Sequence, residues 1–514
     1  MPVLMLARLR RMNAAGFPLL STLTFLPLAG VAAILCLRGE EERIGRLVRG
    51  IALGTSLAVL ALASLLWFGF DGASGAYQFQ EHANWMPETG ISYHMGVDGI
   101  SVLFVLLTAL LTPICILASW RMEQTRIRAY MIAFLLLETA MIGVFSAVDL
   151  LLFYVFFEAA LVPVFLIIGI WGGTHRVRAA FKLFFYTLAG AVLMLLAVLA
   201  IWYDAGSTDL TQLMGLHLSH GAQMWMFLAF FAAFAVKMPM WPFHTWQPEA
   251  YAEAPTAGSV MLGGVMLNMG AYGFLRFSIP LFPQATETLA PFVLALSAIA
   301  VVYASLVALL QQDMKKIVAY SSIAHMGIAT IGVFSIDEQG ISGALLQMLA
   351  HGVVSGAGFL CIGVLQDRVR SRDIGHFGGI AKVMPAYAVV AMIFTLAAMA
   401  LPGTASFPGE FLVLVGAWKI SPWLTLAAGS SMILGAAYML RMYRAVVFSR
   451  LQRTELRQLL DLSVREKLIF APLVLLTLWI GIHPGTFLHV FQASVSTLVH
   501  RQEAALATAH LAGL

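Results

Sequence analysis

Long apolar stretches follow one another along nearly the whole chain, and they restrict the fold to one that lies in a membrane. A helix that crosses a bilayer needs about 20 predominantly apolar residues. Fourteen candidate spans are centred near Leu28, Leu60, Leu107, Leu137, Leu161, Val192, Phe231, Val265, Ile299, Ile331, Phe359, Thr395, Gly429 and Leu475. Only 11% of the 514 residues are charged, against about 25% in soluble domains. The sequence therefore predicts an all-α integral membrane protein with about fourteen transmembrane helices.

The loops between these spans alternate in charge, which predicts their orientation. Odd-numbered loops are basic, with Arg and Lys grouped within residues 38–49, 121–128, 176–178, 315–316, 368–382 and 441–457. Even-numbered loops contain Asp71, Glu81, Glu88, Asp204, Asp209, Asp337 and Glu338. Because basic loops stay in the cytoplasm, we expect both termini on the outer side. The small excess of 30 basic over 26 acidic residues does not indicate nucleic-acid binding.

Three arginines near the start of the chain contradict this orientation. Arg8, Arg10 and Arg11 would lie on the outer side. We therefore expect translation to start at Met12, so that residues 1–11 are an artefact of start-site assignment. A cleaved signal peptide is the less favoured alternative, because no small-residue cleavage site precedes a soluble domain.

Proline-containing segments interrupt predicted spans seven and twelve. They are Lys237-Met-Pro-Met-Trp-Pro-Phe-His244 and Leu401-Pro-Gly-Thr-Ala-Ser-Phe-Pro-Gly-Glu410. Proline kinks or breaks a helix, and interruptions in equivalent places of two halves indicate inverted repeats around a polar site. We predict two inverted five-helix repeats, residues 121–280 (helices 4–8) and 281–450 (helices 9–13). Residues 1–16 form an extension, 17–120 helices 1–3, and 451–514 helix 14 with a tail. The polar connection 70–97 is expected to be an outer hairpin or a short helix.

Two opposite charges lie within apolar spans. Lys237 follows ten mostly apolar residues in span seven, and Glu158 follows seven apolar or aromatic residues in span five. A charge at this depth costs about 2.5–3.5 kcal/mol on insertion scales and usually serves a function. If the two groups pair, separating them would move each toward its neutral form, which is a proton switch. A permanent ion pair that holds two helices together is the alternative, although such pairs stabilise proteins poorly.

Further ionisable residues occur in or near the spans. Glu410, at the second break, could end a proton relay or merely complement a helix N-terminus. His325 and His351, in adjacent spans, could pass protons or be ordinary core histidines. Glu138 could be a coupling group or a hydrogen-bonded structural acid, and His244 could supply protons or anchor its loop. Lys182, Lys315 and Lys316 lie near helix ends and are expected to snorkel toward water.

The chain shows no sign of a redox centre or a metal site. Cys36, Cys115 and Cys361 are far apart and lie in or beside apolar spans, so they form neither a cluster motif nor a disulfide framework. No dinucleotide-binding glycine pattern, phosphate loop or haem-attachment motif occurs. We therefore expect no cofactor and no metal in this chain.

Seven motifs resemble those of one family in their order and spacing. They are Met95-Gly-Val-Asp98-Gly-Ile-Ser101, Phe153-Tyr-Val-Phe-Phe-Glu158-Ala159, Gly169-Ile-Trp-Gly-Gly173, Phe234-Ala-Val-Lys237-Met-Pro239, Glu253-Ala-Pro-Thr-Ala-Gly-Ser-Val260, Asp313-Met-Lys-Lys316 with Ala319-Tyr-Ser-Ser322, and Pro402-Gly-Thr404. From about Phe17 to the last span the chain resembles the M-type antiporter-like subunits of bacterial NADH:quinone oxidoreductase, respiratory complex I.

The resemblance implies a role and several partners. It implies a fourteen-helix subunit with periplasmic termini in the membrane arm of the complex, which lies in the bacterial inner membrane. L-type and N-type antiporter-like subunits would be its neighbours. Glu158 and Lys237 would be the switching pair, Glu410 the terminal acid, and His325 and His351 the central histidines of proton translocation. NAD, FMN, iron–sulfur clusters and quinone are expected in partner subunits, and none in this chain.

One position departs from the family pattern. The family usually has a lysine in helix eight, where this chain has Asn268, whose amide cannot hold a proton. Three explanations remain open: water replaces the lysine, the complex pumps with altered stoichiometry, or the subunit couples mechanically without pumping. The alternative functions are a subunit of a multisubunit Na+/H+ antiporter, a non-pumping structural subunit of the membrane arm and, less favoured, a subunit of a membrane-bound hydrogenase.

Overall fold

A computed structural model of the protein describes residues 18–121, 126–216 and 218–511. The predicted start at Met12 and the predicted extension 1–16 lie outside these ranges. The main helices are α1 (Leu19–Cys36), α2 (Glu41–Gly69), α3 (Val102–Ala118), α4 (Ile127–Ser146), α5 (Leu150–Trp171), α6 (Arg176–Ala205), α7 (His220–Lys237), α8 (Gln247–Glu253), α9 (Thr256–Leu281), α10 (Pro283–Leu310), α11 (Met314–Val333), α12 (Glu338–Val369), α13 (Pro385–Ala398), α14 (Ser406–Ile420), α15 (Pro422–Tyr443), α16 (Val464–Ile482) and α17 (Gly485–Leu511).

The all-α membrane class is confirmed, but the count of fourteen spans is not. Among the described residues, eleven helices are long and apolar enough to cross a bilayer, or twelve if the bent pair α16 and α17 is one span. The predicted spans near Phe231 and Thr395 are not among them. The first contains α7, which ends at the buried Lys237, and the second contains α13, which has only 14 residues. The second break, which we predicted, ends α13 early, whereas α7 has 18 residues, as α1 does, and is less apolar because it contains His220, Gln223 and Lys237.

The helices differ in how completely they are enclosed. The apolar windows of α9 and α12 are 100% and 94% buried, whereas those of α2 and α15 are 28% and 33% buried. The inner helices can approach closely because glycines face each other. A Cβ on Gly352 would lie 2.5 Å from the Gly264 carbonyl oxygen, a small-residue contact typical of membrane helix pairs. The centre of the bundle is therefore built by α9, α11 and α12.

The polar connection between α2 and α3 forms a hairpin, the first of the two forms that we expected. Strands β1 (Gln78–Met86) and β2 (Ile91–Val97) pair antiparallel, with His82 opposite His94. Just after β2, Asp98 receives hydrogen bonds from both terminal nitrogens of Arg276 on α9, at 2.8 and 2.5 Å. This buried ion pair joins the hairpin to the centre of the bundle.

The same local structure occurs twice along the chain. The side chain of Asp149 caps the start of α5, and its backbone forms an isolated antiparallel bridge with Asp209. Asp313 likewise caps the start of α11 and forms a backbone bridge with Asp373. In both cases the two aspartates are sixty residues apart. Such recurrence is what two copies of one structural unit would produce. The boundaries that we gave for the two repeats remain a prediction.

Candidate functional site

The first helix break places Lys237 inside the protein. Lys237 is the last residue of α7, and its side chain is 1% exposed. The chain then turns before α8 begins at Gln247, and protein donors satisfy two of the freed carbonyls. The Met240 amide donates to the Ala235 carbonyl at 2.8 Å, and the Trp246 indole donates to the Val236 carbonyl at 2.9 Å. The break is therefore ordered, and it holds the ammonium at a fixed depth.

The Lys237 ammonium contacts the helix that contains Glu158. Its Nζ donates to the Phe157 carbonyl at 3.3 Å and lies 4.4 Å from the centroid of the Phe157 ring. Glu158 is the next residue and is close enough to interact with Lys237 electrostatically. Both residues are described by the structure, and they form no ion pair within 4.0 Å. The two predicted partners are therefore neighbours, and the ammonium contacts a backbone carbonyl rather than the Glu158 carboxylate.

Glu158 lies at the periphery of the helix bundle rather than at its centre. Its side chain is partly exposed, and it is flanked on α5 by exposed Val155, Ala159 and Val162. Its Oε1 atom is nevertheless buried and has no hydrogen-bond partner within the described ranges. The carboxylate thus lies between Lys237 and the outer face of α5.

A second polar cluster lies between α11, α12 and α14. Nδ1 of His325 is 2.8 Å from Oε1 of Glu410, and its Nε2 is 3.1 Å from the Ala398 carbonyl oxygen. Each ring nitrogen thus lies within hydrogen-bond distance of an oxygen atom. The Gln347 amide donates to the same Glu410 oxygen at 3.0 Å. The structure therefore brings together two predicted residues, His325 and Glu410, and adds Gln347.

His351 and Asn268 lie between the two polar groups. The His351 ring centroid is 5.6 Å from that of His325. The Asn268 amide donates to the Met348 carbonyl, one turn before His351, at 3.3 Å. Nε2 of His351 and Oδ1 of Asn268 are buried and have no partner among the described residues. Two π-helical turns, Leu262–Met266 and Phe274–Ser278, flank this part of α9, and such turns are frequent at functional sites.

Glu138 and His244 do not join either cluster through a hydrogen bond. Both Glu138 oxygens are buried without a partner in the described parts of the chain. The Thr112 hydroxyl approaches Glu138 but donates to the Thr108 carbonyl. His244 is buried, and its ring packs edge-on against Tyr303 at 5.4 Å. Their proposed roles in proton transfer remain predictions.

Sequence reasoning missed several buried polar residues. Lys315 does not snorkel: it is 1% exposed and donates to the Ala254 carbonyl at 2.8 Å. Its position near a helix end suggested exposure, but α11 packs against α8 there. Arg276 and Gln347 were also missed. For Arg276 the signal was present, because it is a lone cation within the apolar region of α9.

The predicted residues form a discontinuous polar line through the bundle. The line begins with Glu158 and Lys237, continues past Asn268, and reaches His351, His325 and Glu410. The backbones of α7 and α9 touch near its middle, where a Cβ on Gly270 would meet the Phe234 carbonyl oxygen at 2.7 Å. Titratable groups at both ends and an amide near the middle suit proton transfer rather than redox chemistry.

Comparison with known proteins identifies relatives along almost the full length. The family model described as NADH:quinone oxidoreductase/Mrp antiporter matches residues 147–435, and that of NADH-ubiquinone oxidoreductase chain 4, amino terminus, matches residues 73–144. NADH-quinone oxidoreductase subunit M of Rhodobacter capsulatus is 51% identical over 95% of this chain and 98% of the relative. NADH-ubiquinone oxidoreductase chain 4 of Arabidopsis thaliana is 49% identical over 93% of this chain and 97% of the relative.

Solved structures show the same fold. A chain of respiratory complex I from Thermus thermophilus with bound NADH superposes with a TM-score of 0.85 at 33% identity, covering 93% of this chain and 99% of that chain. A chain of the membrane-bound sulfane sulfur reductase, an archaeal respiratory membrane complex, superposes with a TM-score of 0.82. It is 23% identical and covers 93% and 77% of the two chains, so it supports the fold alone.

Proposed function

We propose, because this chain belongs to the family of M and chain 4 subunits of NADH:quinone oxidoreductase, that it moves protons across the membrane in response to electron transfer elsewhere in the complex. The polar line from Glu158 and Lys237 to Glu410 is the observation on which this proposal depends. Partners are the other membrane-arm subunits, of L and N type, and NAD, FMN, iron–sulfur clusters and quinone belong to partner subunits. We place the chain in a bacterial inner membrane with both termini periplasmic.

Glu158 and Lys237 suit the role of switch because they are close without being locked together. Moving two unit charges from about 4 to about 8 Å apart changes their attraction by about 2 kcal/mol at an effective dielectric constant near 20. That energy changes the equilibrium constant for protonation of the lysine about thirtyfold. A small shift of α5 relative to α7 would therefore load or release a proton. Breaking the contacts of the ammonium with the Phe157 carbonyl and the Phe157 ring is the structural cost of that shift.

The half formed by α11, α12 and α14 suits the role of proton acceptor. A proton that reaches His351 can pass to the adjacent His325, whose Nδ1 contacts Glu410. The two ring nitrogens of histidine allow a proton to enter on one side and leave on the other, which in His325 requires the contact of Nε2 with the Ala398 carbonyl to open. Glu410 is the terminal acid of this route, and the Gln347 amide orients its carboxylate.

Asn268 occupies the gap between the two halves, and of the three explanations we favour water in place of the lysine. The amide nitrogen donates to the Gly264 and Met348 carbonyls, and the buried carbonyl oxygen Oδ1 has no donor among the residues that the structure describes. Buried polar groups of this kind commonly bind water. A water chain past Oδ1 would join Lys237 to His351 without a titratable residue.

The decisive experiment uses the whole complex, reconstituted in vesicles. Lys237→Ala should lower NADH-driven proton translocation at least about tenfold, a conservative loss for a removed proton-transfer group. The matched control is Lys419→Ala. Lys419 lies at the end of α14, is half-exposed and forms an ion pair with Asp337. Both variants should assemble normally. Unchanged pumping in Lys237→Ala would refute the proposal.

Asn268→Lys distinguishes the explanations for the missing lysine. If water already bridges the gap, the variant should pump with the same number of protons per electron pair as the wild-type complex. Asn268→Leu, which removes the polar oxygen without adding a charge, should instead slow pumping. A higher proton yield in Asn268→Lys would show that the natural subunit has a reduced stoichiometry.

A subunit of a multisubunit Na+/H+ antiporter is the second candidate, because the matching family model also includes Mrp antiporters. The two functions differ in their partners. Extraction in mild detergent should recover the chain with redox-active polypeptides if it belongs to the oxidoreductase. Recovery with membrane polypeptides alone, together with sodium-dependent growth, would favour the antiporter.

A further inference from the structure

Three potential metal ligands converge beside the hairpin, away from the polar line. His82 on β1 and His94 on β2 face each other across the strand pair, and Asp209 lies in the loop that follows α6. One ligand atom from each residue lies within 4.8 Å of the others. The sequence predicted no metal ligands because these residues come from distant segments without motif spacing. Folding of the hairpin onto the loop brings them together.

We infer that His82, His94 and Asp209 form a binding site for Zn2+ or a similar divalent transition-metal ion, which fastens the hairpin to the loop after α6. Two imidazoles and one carboxylate, with a fourth position left for water, are a ligand set that zinc accepts. The site is open on one side only. The His82 side chain is 50% exposed, whereas those of His94 and Asp209 are 6% and 4% exposed.

The distances require only small side-chain movements. At zinc–ligand distances of about 2.0–2.2 Å, tetrahedral ligand atoms lie roughly 3.4 Å apart. Nδ1 of His94 is 2.7 Å from Oδ2 of Asp209, and Nε2 of His82 is 3.9 Å from the same oxygen. On this geometry the first pair must open by about 0.7 Å and the second must close by about 0.5 Å. The half-exposed His82 ring can move because it lies at the surface.

The surrounding hydrogen bonds orient the ligand atoms and occupy the other polar atoms of the same side chains. Oδ1 of Asp209 already accepts from the Thr211 amide at 2.8 Å and from the Thr211 hydroxyl, so Oδ2 is the oxygen available to a metal. Nε2 of His94 is 3.3 Å from the Gln80 amide oxygen, which leaves Nδ1 to bind. A ligating histidine typically donates its other N–H to such an acceptor. A bound metal would replace the proton between His94 and Asp209.

The test measures zinc bound to the intact complex. Complex purified in mild detergent is stripped with a chelator and dialysed against buffered Zn2+, and zinc is counted by mass spectrometry. Wild-type complex should hold one more zinc than the His82→Ala and His82→Gln variants, and chelator competition should show at least about tenfold weaker binding in both. These variants alter the exposed ligand and leave the buried His94–Asp209 contact in place.

His220→Ala is the matched control, because His220 is an exposed histidine at the start of α7, just after the connection that contains Asp209. It should bind as much zinc as the wild type. Gln80→Leu should retain the site with about 10–100-fold lower affinity, as expected when an outer-shell partner is lost. Equal zinc content in the wild type and both His82 variants would overturn the inference.

Discussion

Arg276 and Asp98 are opposite charges that satisfy each other inside the protein. Two hydrogen bonds join them, and the guanidinium also donates to the Tyr77 hydroxyl at 2.9 Å and to the Tyr272 hydroxyl at 3.1 Å. Both charged side chains are 6% exposed. Unlike Lys237, this cation is held by a directly bonded carboxylate and by two further acceptors. We therefore assign it a structural role.

Removing one partner of this pair should be costly. Arg276→Met leaves the Asp98 carboxylate buried and unpaired, which typically costs about 3–5 kcal/mol. We expect the free energy of unfolding to fall by this amount, observed as loss of the subunit from purified complex on mild heating. The double variant with Asp98→Leu should recover most of the loss. If the single and double variants were equally unstable, the pair would not be the source of the stability.

At single residues, sequence reasoning succeeded where a charge stood in an apolar stretch. Lys237, Glu410 and His325 are all buried, as their neighbours indicated. Sequence could not show which polar groups meet, because Gln347 and Glu410 are 63 residues apart. Nor could it show that Lys237 contacts a carbonyl of α5 rather than the Glu158 carboxylate, since that choice depends on side-chain geometry.

The crossing of α7 and α9 is the element-scale feature that places Lys237 near Asn268. Gly270 lets the two backbones touch, and an added Cβ would lie 2.7 Å from the Phe234 carbonyl oxygen and 2.8 Å from the Met238 Cβ. Because the nearest atom belongs to backbone, it cannot rotate away. The end of α7 must shift if this glycine is replaced.

Gly270→Ala should therefore destabilise the subunit by about 1–3 kcal/mol, as overpacking usually does, and should lower pumping by displacing Lys237. Thermal release of the subunit and proton translocation in vesicles would measure the two effects. Gly54→Ala on α2 is the matched control, because a Cβ there meets nothing within 4 Å. Equal behaviour of the two variants would contradict the role assigned to this crossing.

At the scale of elements, apolar stretches located the helices, and prolines located the breaks. The prolines end α7 at Lys237, but α7 is as long as α1 and is missing from the set of long apolar helices because it contains His220, Gln223 and Lys237. The division between α13 and α14 at the second break was likewise expected. The hairpin pairing of His82 with His94 was not foreseen, because hairpin register depends on the turn type and the loop length, which the sequence of this connection does not reveal.

Considered as a whole molecule, the chain has an enclosed centre and an open flank on α5. Exposed Val155, Ala159 and Val162 would suit lipid alone, but Glu158 lies among them. A carboxylate on a lipid-facing surface is strongly disfavoured. We therefore expect another subunit of the membrane arm to cover this flank.

A photo-reactive residue in place of Ala159 should then form a cross-link to another membrane-arm polypeptide in the assembled complex. The same probe at Phe153, which is fully buried and packs against Phe277, should react only within this chain. Mass spectrometry of the adducts would identify the partner. Adducts with lipid alone at position 159 would contradict the expected interface.

The position of Glu158 on that flank has a consequence for biochemical dissection. If a neighbouring protein completes the surroundings of this carboxylate, the smallest entity competent for ion transport is larger than one gene product. The polypeptide expressed in isolation would then lack part of the transport unit. The absence of ion transport in a liposome assay of this chain alone would be the expected result.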